Sequence, residues 1–398
     1  MFAKTSVSLT TTAAALLFCS ASALAADANA FGERLKAVAA TQNMMIAYDS
    51  AASEGDNVVL KGMTAAPKGE EPAKLGDVTF ESVSGSTEEG WKVARIPIAD
   101  VDVTKDDTHT TVTGMSVEGV ELLPADRSKL PAVKQLSEFY FQKAGLDKMT
   151  VEEKGAKVFD LSGVSIENTI NDDDTLSSDF NFGTFDADFS TADPETVQTM
   201  GDLGYTKMNG SVEGSASWDP KTGTLTLDPF DVNVQNAGNL SFTYEMAGYT
   251  PAFIQSMQQI SQQMQQNPDG NQNAGMAMMG LLSQLSLGSA DITFTDDSLT
   301  KKLLDYYAKK QGTTPDQLVQ QLESMVPAAL AQLNNPDFQK QVSEAVSTYL
   351  KDPKSLSISI DPENPVPAMQ IMGAAMGAPQ TLPQVLSLQV TANDATNE

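Results

Sequence analysis

Between Asn57 and Thr250 apolar and polar residues alternate with a period of two over most of the chain. The segments NVVLKGM, DVTFESV, WKVARIPIADVDV, HTTVTGMSVEGVEL, KVFDLSGVSIENTI, SDFNFGTFDADF, NGSVEGSASW and SWDPKTGTLTLDPFDVNVQNAGNLSFTYEM read as strands, because alternate side chains of a strand point to opposite faces. Gly, Asn and Asp clusters separate them and supply hairpin turns. The pattern predicts a meander of antiparallel strands.

The alternation slips by one residue at four places. Leu225 and Leu227 give way to Phe230, Val232 and Val234 across Asp228-Pro229; Phe159 and Leu161 give way to Val164 and Ile166 across Ser162-Gly163. Two more slips fall at Gly183-Thr184 and at Gly114. A period that slips at Gly or Pro marks a β-bulge, which lets one apolar face continue while the strand bends. Four bulges predict a strongly curved sheet, wrapped around its own helices or around a ligand.

Elsewhere the period lengthens to that of a helix. Phe31 to Tyr48 begins as a helix and runs into strand. LPAVKQLSEFYFQKAG, Leu130 to Gly145, reads as a helix with Pro131 near its start, and ADPETVQTMGDLG as one capped by Asp193 with Pro194 at its first position. Similar words follow each, Gly145-Leu146-Asp147-Lys148-Met149 and Gly204-Tyr205-Thr206-Lys207-Met208, which suggests an internal repeat of helix then strands. From Pro251 onward Phe253, Met257, Ile260 and Met264 recur at helical spacing, followed by a Met-rich helix and then, after the strand ADITFTD, by three helices. Thr314-Pro315-Asp316-Gln317 forms a capping box, and Asn335-Pro336 opens the next helix. SLSISIDP and VLSLQVTA return to strand on either side of PAMQIMGAAMG. The expected fold class is α+β: a long curved antiparallel sheet with inserted helices and a helix-rich C-terminal part. The expected division is a leader at 1–25, a curved β domain at 26–290, and a helical segment with returning strands at 291–398.

The leader is read from MFAK, the apolar run Ala13 to Ser22, and Ala23-Leu24-Ala25, which together match a secretory signal cleaved near Ala25. Cys19, the single cysteine of the chain, leaves with it. Thiol catalysis, disulfides and Cys-based metal sites are then excluded from the exported, periplasmic protein. A formal charge of −27, from 52 acidic and 25 basic residues spread along the chain, argues against nucleic-acid partners. No later segment is apolar enough for an integral membrane span.

Candidate chemistry is sparse. The one histidine, His109, lies beside Asp106 and Asp107, with no nucleophile-elbow signature to complete a triad. Asp172-Asp173-Asp174, with Asp186 and Asp188 nearby, lacks the spacing of a calcium loop and reads as a hairpin turn, as does Asp219 to Gly223. No cofactor and no metal are expected, and the chain reads as a non-enzyme. The remaining signal is methionine: Met276, Met278 and Met279, with Met257 and Met264 before them and Met369, Met372 and Met376 after, form either core packing or adaptable ligand surface. Phe253, Met257, Met276 and Met279 are the candidate ligand-binding residues.

The stretch GSASWDPKTGTLTLDPFDVNVQNAGNLSFTYEMAGY resembles segments of uncharacterised proteobacterial periplasmic envelope proteins and, more distantly, the AsmA-like group. The resemblance covers Gly210 to Tyr249. It implies an apolar groove that shelters acyl chains and a role in envelope upkeep, and it supplies no catalytic residues. Three functions follow as expectations: binding of a lipid or other apolar molecule; docking of an envelope protein through the Met-rich helices; or hydrolysis by a carboxylate pair that spacing does not reveal.

Overall fold

The computed structural model describes residues 26–266 and 271–394, so the leader at 1–25 lies outside the described residues. Helix α1 (Ala28–Thr41) opens with the Asp27 carboxylate accepting from the amides of Asn29 and Ala30. It leads into β1 (Met44–Ala47), β2 (Ser50–Glu54), β3 (Asn57–Pro67) and β4 (Ala73–Phe80). These make a small antiparallel sheet in which β3 pairs with the other three.

A second sheet begins with β5 (Ser84–Ser86), β6 (Gly90–Pro97), β7 (Val101–Lys105), β8 (Thr108–Thr113) and β9 (Ser116–Leu122). After a single helical turn, α2 (Ala132–Gln135), it continues through β10 (Phe139–Tyr140), β11 (Lys143–Glu153), β12 (Ala156–Ile170) and β13 (Leu176–Asp188). Helix α3 (Pro194–Leu203) precedes β14 (Lys207–Asp219), β15 (Thr224–Val234) and β16 (Gly238–Ala247). Two helices, α4 (Pro251–Gln266) and α5 (Asn271–Leu282), separate β16 from β17 (Ser286–Asp296). Three more, α6 (Leu299–Gln311), α7 (Pro315–Leu330) and α8 (Pro336–Lys351), precede β18 (Ser355–Ile360). The chain ends with β19 (Val366–Pro367), α9 (Ala368–Gly377), α10 (Leu382–Val385) and β20 (Leu388–Ala392).

The result is α+β, with one open, curved antiparallel sheet of sixteen strands, twelve of them in the order β20-β18-β17-β16-β15-β14-β13-β12-β11-β9-β6-β5, while β10 pairs with β9, β19 with β17, β8 with β11 and β7 with β8. Strand β17 spans residue 290, and the sheet continues through it to β20, so the expected boundary at 290/291 falls inside a strand of the sheet. The helix starts follow the sequence: Asp193 caps α3, Thr314 and Gln317 form the capping box of α7, and Asn335 caps α8.

The parity slips are structural breaks. Strand pairing shifts register between Leu227 and Phe230, across a cis Asp228-Pro229 bond, and between Asn181 and Thr184. Gly163 and Gly183 face each other on β12 and β13 with φ of +76° and +77°, and Gly114 separates β8 from β9 at φ +69°. Gly114 meets Asp147 of β11, which lies opposite Gly163, so three of the four slips line up into one crease across neighbouring strands.

The helix expected over Leu130 to Gly145 does not form beyond Ala132–Gln135. Phe139 and Tyr140 pair with Leu122 and Glu121, and Gly145 lies within β11 opposite Ser116 and Ser165. Phe139 and Phe141 pack against the N-terminal core, and this tertiary burial outweighs the helix propensity of the Lys, Gln and Glu residues around them. The helix-then-strand repeat is therefore absent from its first copy; only α3 precedes the second.

Two cores sit at opposite ends of the large sheet. In the first, α1 is clamped between the sheets: Phe31, fully buried, meets Phe80 edge-on at 5.0 Å and Trp91 at 5.7 Å, with Val58, Leu60, Val93, Val120 and Leu122 around them. In the second, Phe338 and Ala345 of α8 bury Val390 of β20, with Leu356 and Leu388 alongside.

A candidate apolar face

Residues directly opposite each other in an antiparallel sheet project to the same side. Following the pairing from β6 to β20 gives one row: Ile96, Val117, Ala144, Ile166, Phe180, Gly214, Phe230, Phe242, Ile292, Ile358, Val390. It crosses eleven strands without one polar side chain. A second row runs beside it through Val232, Leu240, Phe294 and Leu356. The residues of the intervening row, on the other face, are Ser165, Asn181, Glu213, Asp231, Ser241, Thr293, Ser357 and Thr391. The sheet is thus apolar on one face and polar on the other across its width. The bulges preserve this, because beyond each slip the apolar residues return to the same side.

Helices cover only the ends of this apolar face. Helix α1 packs on β9 and the small sheet, and α8 and α10 pack on β18 and β20; among the described residues no helix makes extensive contact with β11 to β16. In mid-strand, Phe182 is 43% exposed, Leu240 42% and Ile292 44%, where the centre of a sixteen-stranded sheet would otherwise be buried. The rings shelter one another instead. Phe180 lies 5.8 Å from Phe182 and 6.1 Å from Phe230, and Phe242 lies 5.6 Å from Tyr244. Glycine makes room for them: a Cβ at Gly214 would stand 2.6 Å from the Phe180 ring, and one at Gly210 2.8 Å from the Phe185 ring.

The four sequence-predicted ligand residues lie at one end of the strands, in different surroundings. Phe253 is buried and packs at a tilt against Tyr249 at 5.3 Å, which in turn meets Trp218 edge-on at 6.4 Å. Met257 on the same helix is half-buried. Met276 and Met279 of α5 are 66% and 47% exposed. The apolar row was missed by sequence reading because each strand supplies only one or two of its members. Its signal was the alternation itself, counted on one side of each slip and carried over to the other.

The titratable candidates lie at the polar margins. His109 is held between Asp102, at 2.8 Å from Nε2, and Glu152, at 3.5 Å from Nδ1; the hydrogen bond to Asp102, then that to Glu152, raises its pKa above the ordinary imidazole value. Asp188 is held down at about 2 by its hydrogen bonds to Ser190 and by Lys207 at 2.9 Å. Asp172 to Asp174 form a hairpin turn in which Asp173 accepts from the amide and hydroxyl of Thr175. Asp219 accepts in the same way from the Lys221 amide and the Thr222 hydroxyl, in the turn between β14 and β15. Among the described residues no group of three or more His, Cys, Asp and Glu side chains is placed to hold a metal ion.

Residues 231–393, from β15 to the end of β20, match the model of a family described as an uncharacterized protein. No curated protein matches the chain. Among the described residues no helix is long and apolar enough to cross a membrane.

Proposed function

We propose that this protein is a non-enzymatic binder of acyl chains or a similarly apolar molecule, held along the apolar face of the curved sheet as in a trough, and that it works in the periplasm in envelope upkeep. One observation carries the reading: an apolar face, continuous across eleven strands, with side chains more than 40% exposed in the middle of the sheet, at Ile292 in the unbroken row and at Phe182 and Leu240 beside it. A soluble protein rarely leaves such a contiguous surface to water unless something occupies it. Dimensions agree. Eleven strands at about 4.8 Å spacing span about 48 Å, several times the roughly 15 Å that one acyl chain occupies in half of a bilayer core. The polar outer face and the acidic balance keep the loaded protein in solution, and the likeness to AsmA-like envelope segments in Gly210 to Tyr249 points the same way.

The test is uptake of a fluorescent fatty acid by the purified protein, with organic extraction and mass spectrometry of whatever co-purifies. Leu240→Asp and Ile292→Asp place a charge on exposed positions of the apolar face, so the fold should persist while an acyl chain meets an unpaired carboxylate on an apolar surface. Uptake should fall at least tenfold, on the order of the penalty for such a charge. Undiminished uptake by both folded variants would overturn the reading, as would no uptake by the unaltered protein.

A further inference from the structure

The three helices at one rim of the sheet differ from the rest of the molecule in charge. Helices α4, α5 and α9 contain no Asp, Glu, Lys or Arg, and the chain from Asn364 to Asn393 contains none either, within a protein of net charge −27. They are also neighbours. Strand β19 pairs with β17 through Val366 and Leu287, and the amide of Ala368, first residue of α9, donates to the carbonyl of Leu285, just beyond α5. Helix α4 starts beside the β14–β15 turn, where the Tyr249 amide donates to Gly223. Five of the eight methionines of these helices are exposed, Met264 at 45%, Met276 at 66%, Met279 at 47%, Met369 at 38% and Met376 at 85%, while Met257, Met278 and Met372 are half-buried. Helix α5 buries Leu281 while Met276 and Met279 stand out, α4 buries Phe253 at its start while Met264, three turns further along the same side, is exposed, and α9 buries no residue at all.

We infer that this rim docks on the surface of a lipid bilayer, and that a neutral, zwitterionic surface is its partner. Charge selects this occupant. Elsewhere the acidic surface repels anionic head groups, and on the same rim Asp172 to Asp174 and Asp219 stand in turns joined by the hydrogen bond from Lys221 to the Asp173 carbonyl. The methionine side chains, flexible and apolar, suit insertion at the head-group boundary, where binding grows with buried apolar area. The rim also continues the apolar face: Leu225, Met246, Leu287 and Val366 pair in sequence and lead directly into α9. The inference rests on the trough reading for its purpose, delivery or collection of acyl chains at a membrane, but docking is measured separately from uptake.

Flotation with phosphatidylcholine vesicles should carry the protein upward, and replacing a third of the lipid by phosphatidylglycerol should weaken it. Met264→Asp with Met376→Asp should reduce flotation at least about tenfold, because each removes apolar area and adds a charge at the interface, while fatty-acid uptake stays unchanged. The inference is overturned if the unaltered protein stays at the bottom, if anionic vesicles bind better, or if the double variant floats as before. It is equally overturned if the protein in solution is a dimer whose contact protects these methionines from oxidation. Loss of uptake with flotation intact would instead remove the trough and leave the docking.

Discussion

Replacing Gly183 by Ala tests whether the crease that bends the sheet depends on its glycines. At φ +77° a residue bearing Cβ is strained, and here the Cβ would also stand 2.1 Å from the carbonyl oxygen of Ser162 and 2.9 Å from its carbon. The left-handed conformation costs roughly 1–2 kcal/mol. Displacing a backbone carbonyl adds roughly the 1–3 kcal/mol of an overpacked site, for a total of about 2–5 kcal/mol. Gly163 is the internal control: its φ is +76°, yet nothing lies within 4 Å of the place a Cβ would take. Gly163→Ala should therefore carry only the conformational part, about 1–2 kcal/mol. Urea unfolding followed by tryptophan fluorescence reports both, since Trp218 pairs with Leu176 of β13 while Trp91 lies in the N-terminal core. The Trp218 transition should move to lower urea in both variants and further in Gly183→Ala. Equal losses, or the larger loss at Gly163, would refute the argument that this crossing is set by backbone contact.

Two other outcomes are expected. The single imidazole resonance of His109 should titrate above pH 6.5, and Asp102→Asn should lower its midpoint; because the folded pKa is raised, the contribution to stability is full below the unfolded value of about 6.5 and disappears as pH rises through the folded one. A midpoint at or below 6.5 in the intact protein would refute the pairing. If 1–25 is a cleaved leader, intact-mass measurement of protein from a periplasmic fraction should place its first residue at or near Ala26, and recovery of the full-length chain in the membrane pellet would count against it.

Local signals were legible in the sequence wherever the structure obeys local rules. Asp193, Thr314 with Gln317, and Asn335 cap the helices they precede because a side-chain oxygen reaches amides two or three residues away, whatever the rest of the chain does. The slips at Gly163, Gly183 and Asp228-Pro229 were legible for the same reason. What was not legible depends on partners distant in sequence. Phe139 and Phe141 are drawn into a core built from α1 and β3, more than seventy residues upstream, and the helix written in Leu130 to Gly145 is lost to it. Pairing of β19 and β20 with β17 and β18 joins the last residues to the meander across three intervening helices. The apolar row needed register, which no single strand specifies. Exposure of Met276 and Met279 needed the helix orientations, since an apolar helix without charges reads equally as core.

The glycines beneath the phenyl rings have a consequence for what such a sheet could hold. With hydrogen in place of a side chain at Gly210 and Gly214, Phe185 and Phe180 settle close to the backbone, where a methyl group would have lifted them. Clearance above the sheet is thus set by the smallest residues in it. Relatives that kept every bulge and cap but exchanged a glycine of this kind for alanine, with compensating loss of a ring, would present the same outline at another bore. Selectivity for thick or thin guests could drift in this way while the architecture stayed fixed.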